Sequence, residues 1–195
     1  MRRKLHRLTE PPSMQVDFSQ NHYQIFALPV SFEIDLDALA QRYRELQRAV
    51  HPDKFASGTD QERRIAVQRT AQVNEAYDTL KQPLHRARYL LQLNGININD
   101  ETDTTVDMEF LMEQMEMREK LAEIKTKDDP EGALFDLSQV IQKHSNVIVD
   151  ALRTQFASIS PENLELARES VRKLQFMTKL QQEAAQLDEE LAELM

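Results

Sequence analysis

A chain of 195 residues with three glycines (Gly58, Gly95 and Gly132) and seven prolines has little material for the tight turns that join β-strands. Two-residue hairpin turns rely on glycine for positive φ, so this scarcity points to an all-α fold. The apolar spacing agrees. Leu36, Leu39, Ala40, Tyr43, Leu46 and Val50 recur at helical intervals and form one stripe. Asp35 precedes them as an N-cap, and Asp37 lies in the first turn, facing the positive end of the dipole. Thr59 with Glu62 three residues on is a capping box. It opens a helix whose apolar side carries Ala66, Thr70, Val73, Tyr77 and Leu80.

The rest of the chain is divided by similar signals. Residues 22–28 form a short apolar-rich segment ending at Pro29, read as a short helix. Pro83 interrupts the long helix, and a helical pattern resumes from Leu84 to Asn94, with Gly95 as the C′ residue. Residues 96–105 are polar and aperiodic and read as a linker. Three helices are expected beyond it, over 106–126, 130–157 and 161–194. Asp129-Pro130 and Ser160-Pro161 each place a capping side chain before a proline at the first helical position. The expected organisation is an extension over 1–20, a helical domain over 21–95, a linker over 96–105 and an antiparallel three-helix bundle over 106–195.

Composition excludes several function classes. The chain has no cysteine, hence no disulfide, thiolate nucleophile or cysteine-bound cluster. That suits a reducing compartment, and a cytoplasmic location is expected. No apolar run is long enough to cross a bilayer. The start, Met1-Arg2-Arg3-Lys4-Leu5-His6-Arg7, lacks the apolar stretch of a secretory signal and reads as an upstream start or a disordered arm. Residues 1–104 carry 14 Lys/Arg against 14 Asp/Glu, and residues 105–195 carry 10 against 19, so the whole formal charge of −9 sits in the second half. Phosphate contacts need cations, so nucleic acid is not an expected partner. A basic partner, or solubility alone, accounts for the acidity.

The segment Val50-His51-Pro52-Asp53-Lys54-Phe55 falls between the two helices that can pair antiparallel. A residue before proline disfavours the helical region, so His51 should end the first helix. Pro52 fixes its own φ and supplies no N–H. Asp53 then follows on a stiffened, exposed turn, where a carboxylate can accept a fork of hydrogen bonds from a partner's arginine. A catalytic reading of His51 and Asp53 fails on geometry, because no serine or cysteine stands beside them. His6, His22, His85 and His144 are scattered, without ligand spacing. Arg44 and Arg48 share one helix face near the turn. They read either as a solvated face or as a basic rim that steers an acidic partner.

Tyr23 and Phe26, the helix Leu36–Val50, His51-Pro52-Asp53-Lys54 and Val73-Asn74-Glu75-Ala76-Tyr77-Asp78-Thr79-Leu80 together resemble a J-domain, the module by which co-chaperones engage Hsp70-class ATPases. Four further stretches narrow the resemblance: His51–Gly58, Pro83–Leu91, Phe110–Glu116 and Arg172–Phe176. Over about residues 21–194 the chain resembles the HscB co-chaperones of iron–sulfur cluster assembly. Some members carry an N-terminal cysteine-rich segment, and this chain does not. The resemblance implies a non-enzymatic adaptor that needs no cofactor or metal. It would activate a specialised, HscA-like Hsp70-class ATPase and bring it an IscU-like cluster scaffold. His51, Pro52, Asp53, Lys54, Arg44 and Arg48 would face the chaperone. The alternative is a general J-domain co-chaperone with a different client.

The first bundle helix carries two stripes. With Met112 at zero on a helical wheel, Val106, Phe110, Met117, Leu121 and Ile124 cluster about 120–180° away and read as core. Leu111, Met112, Met115 and Met108 lie opposite, beside Glu116, Glu119 and Glu123. Exposed Met and Leu among carboxylates read as an interaction surface, since methionine adapts to a partner's shape. The bland alternative is packing on the first domain or on another bundle helix. In the family this face, with the phenylalanine matching Phe176, contacts the scaffold. Periodicity does not place Phe176, because the apolar stripe rotates between Leu174 and Leu180.

Overall fold

The structure, a computed structural model, describes residues 20–55, 57–99 and 107–193. Among these there are seven α-helices and no strand: α1 His22–Ile25, α2 Leu36–Val50, α3 Asp60–Lys81, α4 Pro83–Leu93, α5 Met108–Glu123, α6 Pro130–Ala157 and α7 Pro161–Ala192. Short 3-10 turns follow α2 (Pro52–Phe55) and α5 (Ile124–Thr126). Residues 1–19 of the expected 1–20 extension, Val106 and most of the 96–105 segment lie outside the described residues.

The helix boundaries follow local chemistry. Asp35 accepts from the backbone N–H groups of Asp37 and Ala38. Asp129 and Ser160 cap α6 and α7 ahead of their N1 prolines, and Asp107 caps α5. Gly95 adopts φ 81° at the end of α4. Its N–H donates to the Gln92 carbonyl, and that of Ile96 donates to the Leu91 carbonyl at 2.9 Å. These two bonds close the helix as a Schellman motif. Leu36 departs from its expected stripe and is 51% exposed. It is the first residue of α2, and periodicity sets a direction without guaranteeing that a neighbour covers it.

Two apolar cores share one spine, the α6–α7 hairpin. In the first, Tyr23, Phe26, Phe32, Leu39, Val73, Leu80 and Leu91 close around Leu152, Ala167, Val171 and Leu174, near the tip of the hairpin. Ile96 and Ile98 pack against this cluster from the segment that reads as linker in the sequence. In the second, Phe110, Met117, Leu121 and Ile124 of α5 pack on Leu137 and Ile141 of α6 and Met177 and Leu180 of α7. Half-buried Ile148 touches both cores. Each fully buried Leu or Met contributes roughly 1.5–3 kcal/mol of hydrophobic stabilisation, so the two halves are joined by a substantial apolar interface.

Candidate functional site

The tip between α2 and α3 is built almost entirely from backbone restraints. His51 leaves the helix at φ −57°, ψ 128°, the extended region that a following proline enforces. The Lys54 N–H donates to the His51 carbonyl at 3.0 Å, closing the 3-10 turn. The Asp53 N–H donates to His51 Nδ1 at 3.3 Å, so the imidazole braces the turn. The Asp53 carboxylate lies 3.5 Å from the same Nδ1, yet its side chain is 90% exposed. His51 and Pro52 therefore hold the backbone, and the carboxylate points to solvent.

Helix–helix bonds fix where the tip sits. The Thr70 hydroxyl of α3 lies 3.2 Å from the Val50 carbonyl, one of the acceptors left open at the end of α2. Lower down, the Tyr43 hydroxyl and Gln47 Nε2 both donate to Asn74 Oδ1, at 3.1 and 3.0 Å. The Tyr43 and Tyr77 rings stack at 3.9 Å. On the other side of the turn, Thr59 and Glu62 form the full capping box. The backbone hydrogen bond from Thr59, then its hydroxyl, holds the Glu62 carboxyl below its ordinary value. Arg44, Gln47, Arg48, His51 and Lys54 line one shallow groove beside the tip. Arg44, Arg48 and Lys54 are exposed, and none has an ion-pair partner among the described residues.

The second surface is the outward crest of α5. Met108, Met112 and Met115 are 69%, 63% and 56% exposed. Glu116, Glu119 and Glu123 are exposed alongside them, while Leu111 is half-buried on the flank nearer α7. Phe110, Met117, Leu121 and Ile124 face inward and are buried. Phe176 is half-buried against the second core, its ring 6.1 Å from that of Phe110 and tilted by 58°.

Two family models match the chain. A DnaJ domain matches residues 21–89, and the HSCB C-terminal oligomerisation domain matches residues 106–185. The chain belongs to the HscB co-chaperone family. It is 47% identical over 171 residues to a co-chaperone protein HscB homolog of Shewanella loihica, covering 88% of this chain and 99% of that one. A counterpart from Shewanella halifaxensis is 45% identical over 172 residues, covering 88% and 98%. Among solved structures, chaperone HscB from Vibrio cholerae superposes with a TM-score of 0.78 at 39% identity, covering 88% of this chain and 99% of that one. Human co-chaperone protein HscB gives 0.80 at 30% identity, covering 89% and 84%.

For an HscB-family chain, the way α5 is held matters as much as what it shows. Three cross-helix ion pairs run along its α7 edge: Lys173 with Asp107, Arg118 with Glu183 at 3.3 Å and Lys125 with Glu190 at 2.7 Å. Lys173 also lies 5.5 Å above the Phe110 ring. The Lys173 hydrogen bond, then that of the Phe110 N–H, lowers the Asp107 carboxyl, and Lys125 does the same for Glu190. Sequence reasoning missed these pairs, because their partners are 65 or 66 positions apart. It also missed Gln114, which is buried on α5 with an unpartnered Oε1. Among the described residues, no cluster of side chains could hold a metal ion and no helix is long and apolar enough to cross a membrane.

Proposed function

We propose that this chain stimulates the ATPase of a specialised, HscA-like Hsp70-class chaperone and delivers to it an IscU-like iron–sulfur scaffold. The observation that carries this reading is the separation of two displays on one framework. A rigid turn presents the Asp53 carboxylate, and a helix anchored to the same α6–α7 hairpin presents methionines among glutamates. Asp53 pairs with a chaperone arginine, while His51 and Pro52 hold the turn and Arg44, Arg48 and Lys54 steer the approach. Leu111, Met112, Met115, Glu116, Glu119 and Glu123, with Phe176, bind the scaffold. Holding client and chaperone on one adaptor replaces a bimolecular encounter with an intramolecular one and raises their effective concentration. The adaptor performs no bond chemistry and works in the cytoplasm.

Isothermal calorimetry with the scaffold tests the client surface. Leu111→Ala with Met115→Ala should weaken binding by at least about 1 kcal/mol for each anchor that is a hot spot, with the melting temperature nearly unchanged. Unfolding of the double variant, with normal scaffold affinity in its folded fraction, would make this stripe core and remove it from the interface. A purified bundle that retains a different client from a cell extract would favour the general J-protein reading.

A further inference from the structure

The chain has eight methionines and no cysteine, so methionine thioethers are its only sulfur. Five of the eight are described, and they fall into two groups. Met117 and Met177 are 5% and 0% exposed, packed in the second core. Met108, Met112 and Met115 are open to solvent and recur at i, i+4 and i+7, which puts them on one face of α5. Every exposed methionine among the described residues therefore lies on the crest assigned above to the client. A thioether gives up electrons to a peroxide only where its sulfur lone pair can be reached. Cysteine thiolates, the side chains that ordinarily react first, are absent. Hydrogen peroxide is uncharged at neutral pH, so the exposed Glu116 and Glu119 alongside do not repel it.

We propose that Met108, Met112 and Met115 form a peroxide-sensing modification site whose oxidation to sulfoxide releases the client. The release rests on the reading that the crest binds the scaffold. In each event the sulfur lone pair attacks one peroxide oxygen, the O–O bond breaks and an S–O bond forms. The sulfur loses two electrons, and the second oxygen departs as water with both protons. On the free helix the new oxygen is hydrated, because these side chains already stand in water, so the fold is unaffected. Under a bound client it is buried in an apolar contact beside carboxylates, which offer it no hydrogen-bond donor. Burial of Met117 and Met177 keeps the same chemistry out of the core, where a polar oxygen would cost stability. The His51–Phe55 tip carries no sulfur, so chaperone engagement is untouched and only client delivery stops. Dithiol-dependent sulfoxide reductases, one for each sulfoxide epimer, reverse the step, removing the oxygen as water and leaving a disulfide on the reductase.

To test this, the full-length chain is treated with hydrogen peroxide, the excess is destroyed with catalase, and only then is the scaffold added. Peptide mass spectrometry over time should place single added oxygens on Met108, Met112 and Met115 while Met117 and Met177 stay reduced. Calorimetry should show scaffold affinity lower by about fivefold or more for each sulfoxide that the scaffold buries, with the melting temperature nearly unchanged. Treatment with both sulfoxide reductases should restore it. A chain carrying Met108→Leu, Met112→Leu and Met115→Leu, compared with itself before and after peroxide, should keep its affinity. Oxidation of Met117 or Met177 at the crest's rate would overturn the proposal. So would crest sulfoxides that leave affinity unchanged, or an equal loss in the leucine variant. Failure of the client-site reading looks different: Leu111→Ala with Met115→Ala then leaves scaffold binding intact before any peroxide is added, and the release falls with it.

Discussion

The His51–Lys54 tip and the α5 crest are both exposed surfaces, but they are exposed by opposite means. At the tip the backbone is over-determined by a proline, a pre-proline residue, a 3-10 bond and the Thr70 contact, so one carboxylate emerges in a fixed place. On α5 the backbone is an ordinary helix. What is unusual is its side chains, which keep three methionines in water on the face opposite the core. A fixed point charge suits an all-or-none contact, in which one atom decides the outcome. A flexible apolar stripe spreads binding over several side chains, each worth a fraction. Breaking the tip should therefore be a single-residue experiment, and breaking the crest should not.

The largest effect expected on a partner's response is that of Asp53→Asn. Asparagine keeps the shape and loses the charge-assisted pairing, worth about 1.5–3 kcal/mol for a hydrogen bond to a charged group. That corresponds to roughly a tenfold or greater loss of engagement. Because the side chain is 90% exposed, the fold should be untouched. Steady-state ATP turnover with the chaperone should show stimulation abolished and circular dichroism unchanged. Full stimulation by a folded variant would show that Asp53 is not the contact.

Leu121→Ala sharpens the other half of the comparison. Leu121 is buried in the second core, on the far side of α5 from Met112. Its truncation should cost about 2–5 kcal/mol of stability and leave the affinity of the folded protein for scaffold unaltered. Urea unfolding alongside calorimetry separates the two. A loss of affinity without a loss of stability would exchange the roles of the two faces.

These contrasts were legible in the sequence to different depths. Caps and breaks are local, so Asp35, Thr59, Asp129, Ser160 and Gly95 announce helix ends directly. The separation of Phe110, Met117 and Leu121 from Met112 and Met115 is likewise a matter of helical period. The continuity of the first core is not. Leu152, Ala167, Val171 and Leu174 join Tyr23 and Leu91 only after the chain has folded back, and no period within one helix encodes that. Arg86 shows the same limit. Its guanidinium is buried 4.9 Å over the Phe32 ring and donates to the Leu80 carbonyl, contacts set by residues that no helical period of α4 relates to it. Phe176 was unplaced because its neighbour Phe110 belongs to another helix.

Arg44→Ala with Arg48→Ala should have a smaller effect at the tip than loss of Asp53. These guanidinium groups are exposed and unpaired, so they contribute long-range attraction rather than a fixed contact. The association rate should fall severalfold at low salt, and the difference should shrink above about 0.1 M, where screening acts within roughly 10 Å. Stopped-flow mixing with the chaperone at two ionic strengths measures this. An unchanged rate and an unchanged salt slope would make the rim a solvated helix face.

The smallest effect expected comes from acid acting on the tip's second support. The Thr59 N–H donates to Glu62 Oε2 at 2.7 Å, and the Glu62 N–H donates back to the Thr59 hydroxyl at 3.2 Å. The Thr59 N–H, and then the Thr59 hydroxyl, which donates to the same Oε2 at 2.9 Å, favour the charged carboxylate, so its folded pKa lies below the ordinary value. Linkage then fixes the sign. The support is fully present above the ordinary glutamate range and is lost as pH falls through the depressed folded value. Losing it should fray only the first turn of α3, because Tyr43, Gln47 and Asn74 still join α2 to α3 further along. Amide exchange at Thr59 should therefore speed up in acid relative to Ala76 in the core, and Glu62→Ala should show the same fast exchange at neutral pH. If Thr59 exchanges equally slowly in Glu62→Ala and in the parent, the capping box does not brace the tip, and its rigidity rests on His51, Pro52 and Thr70 alone.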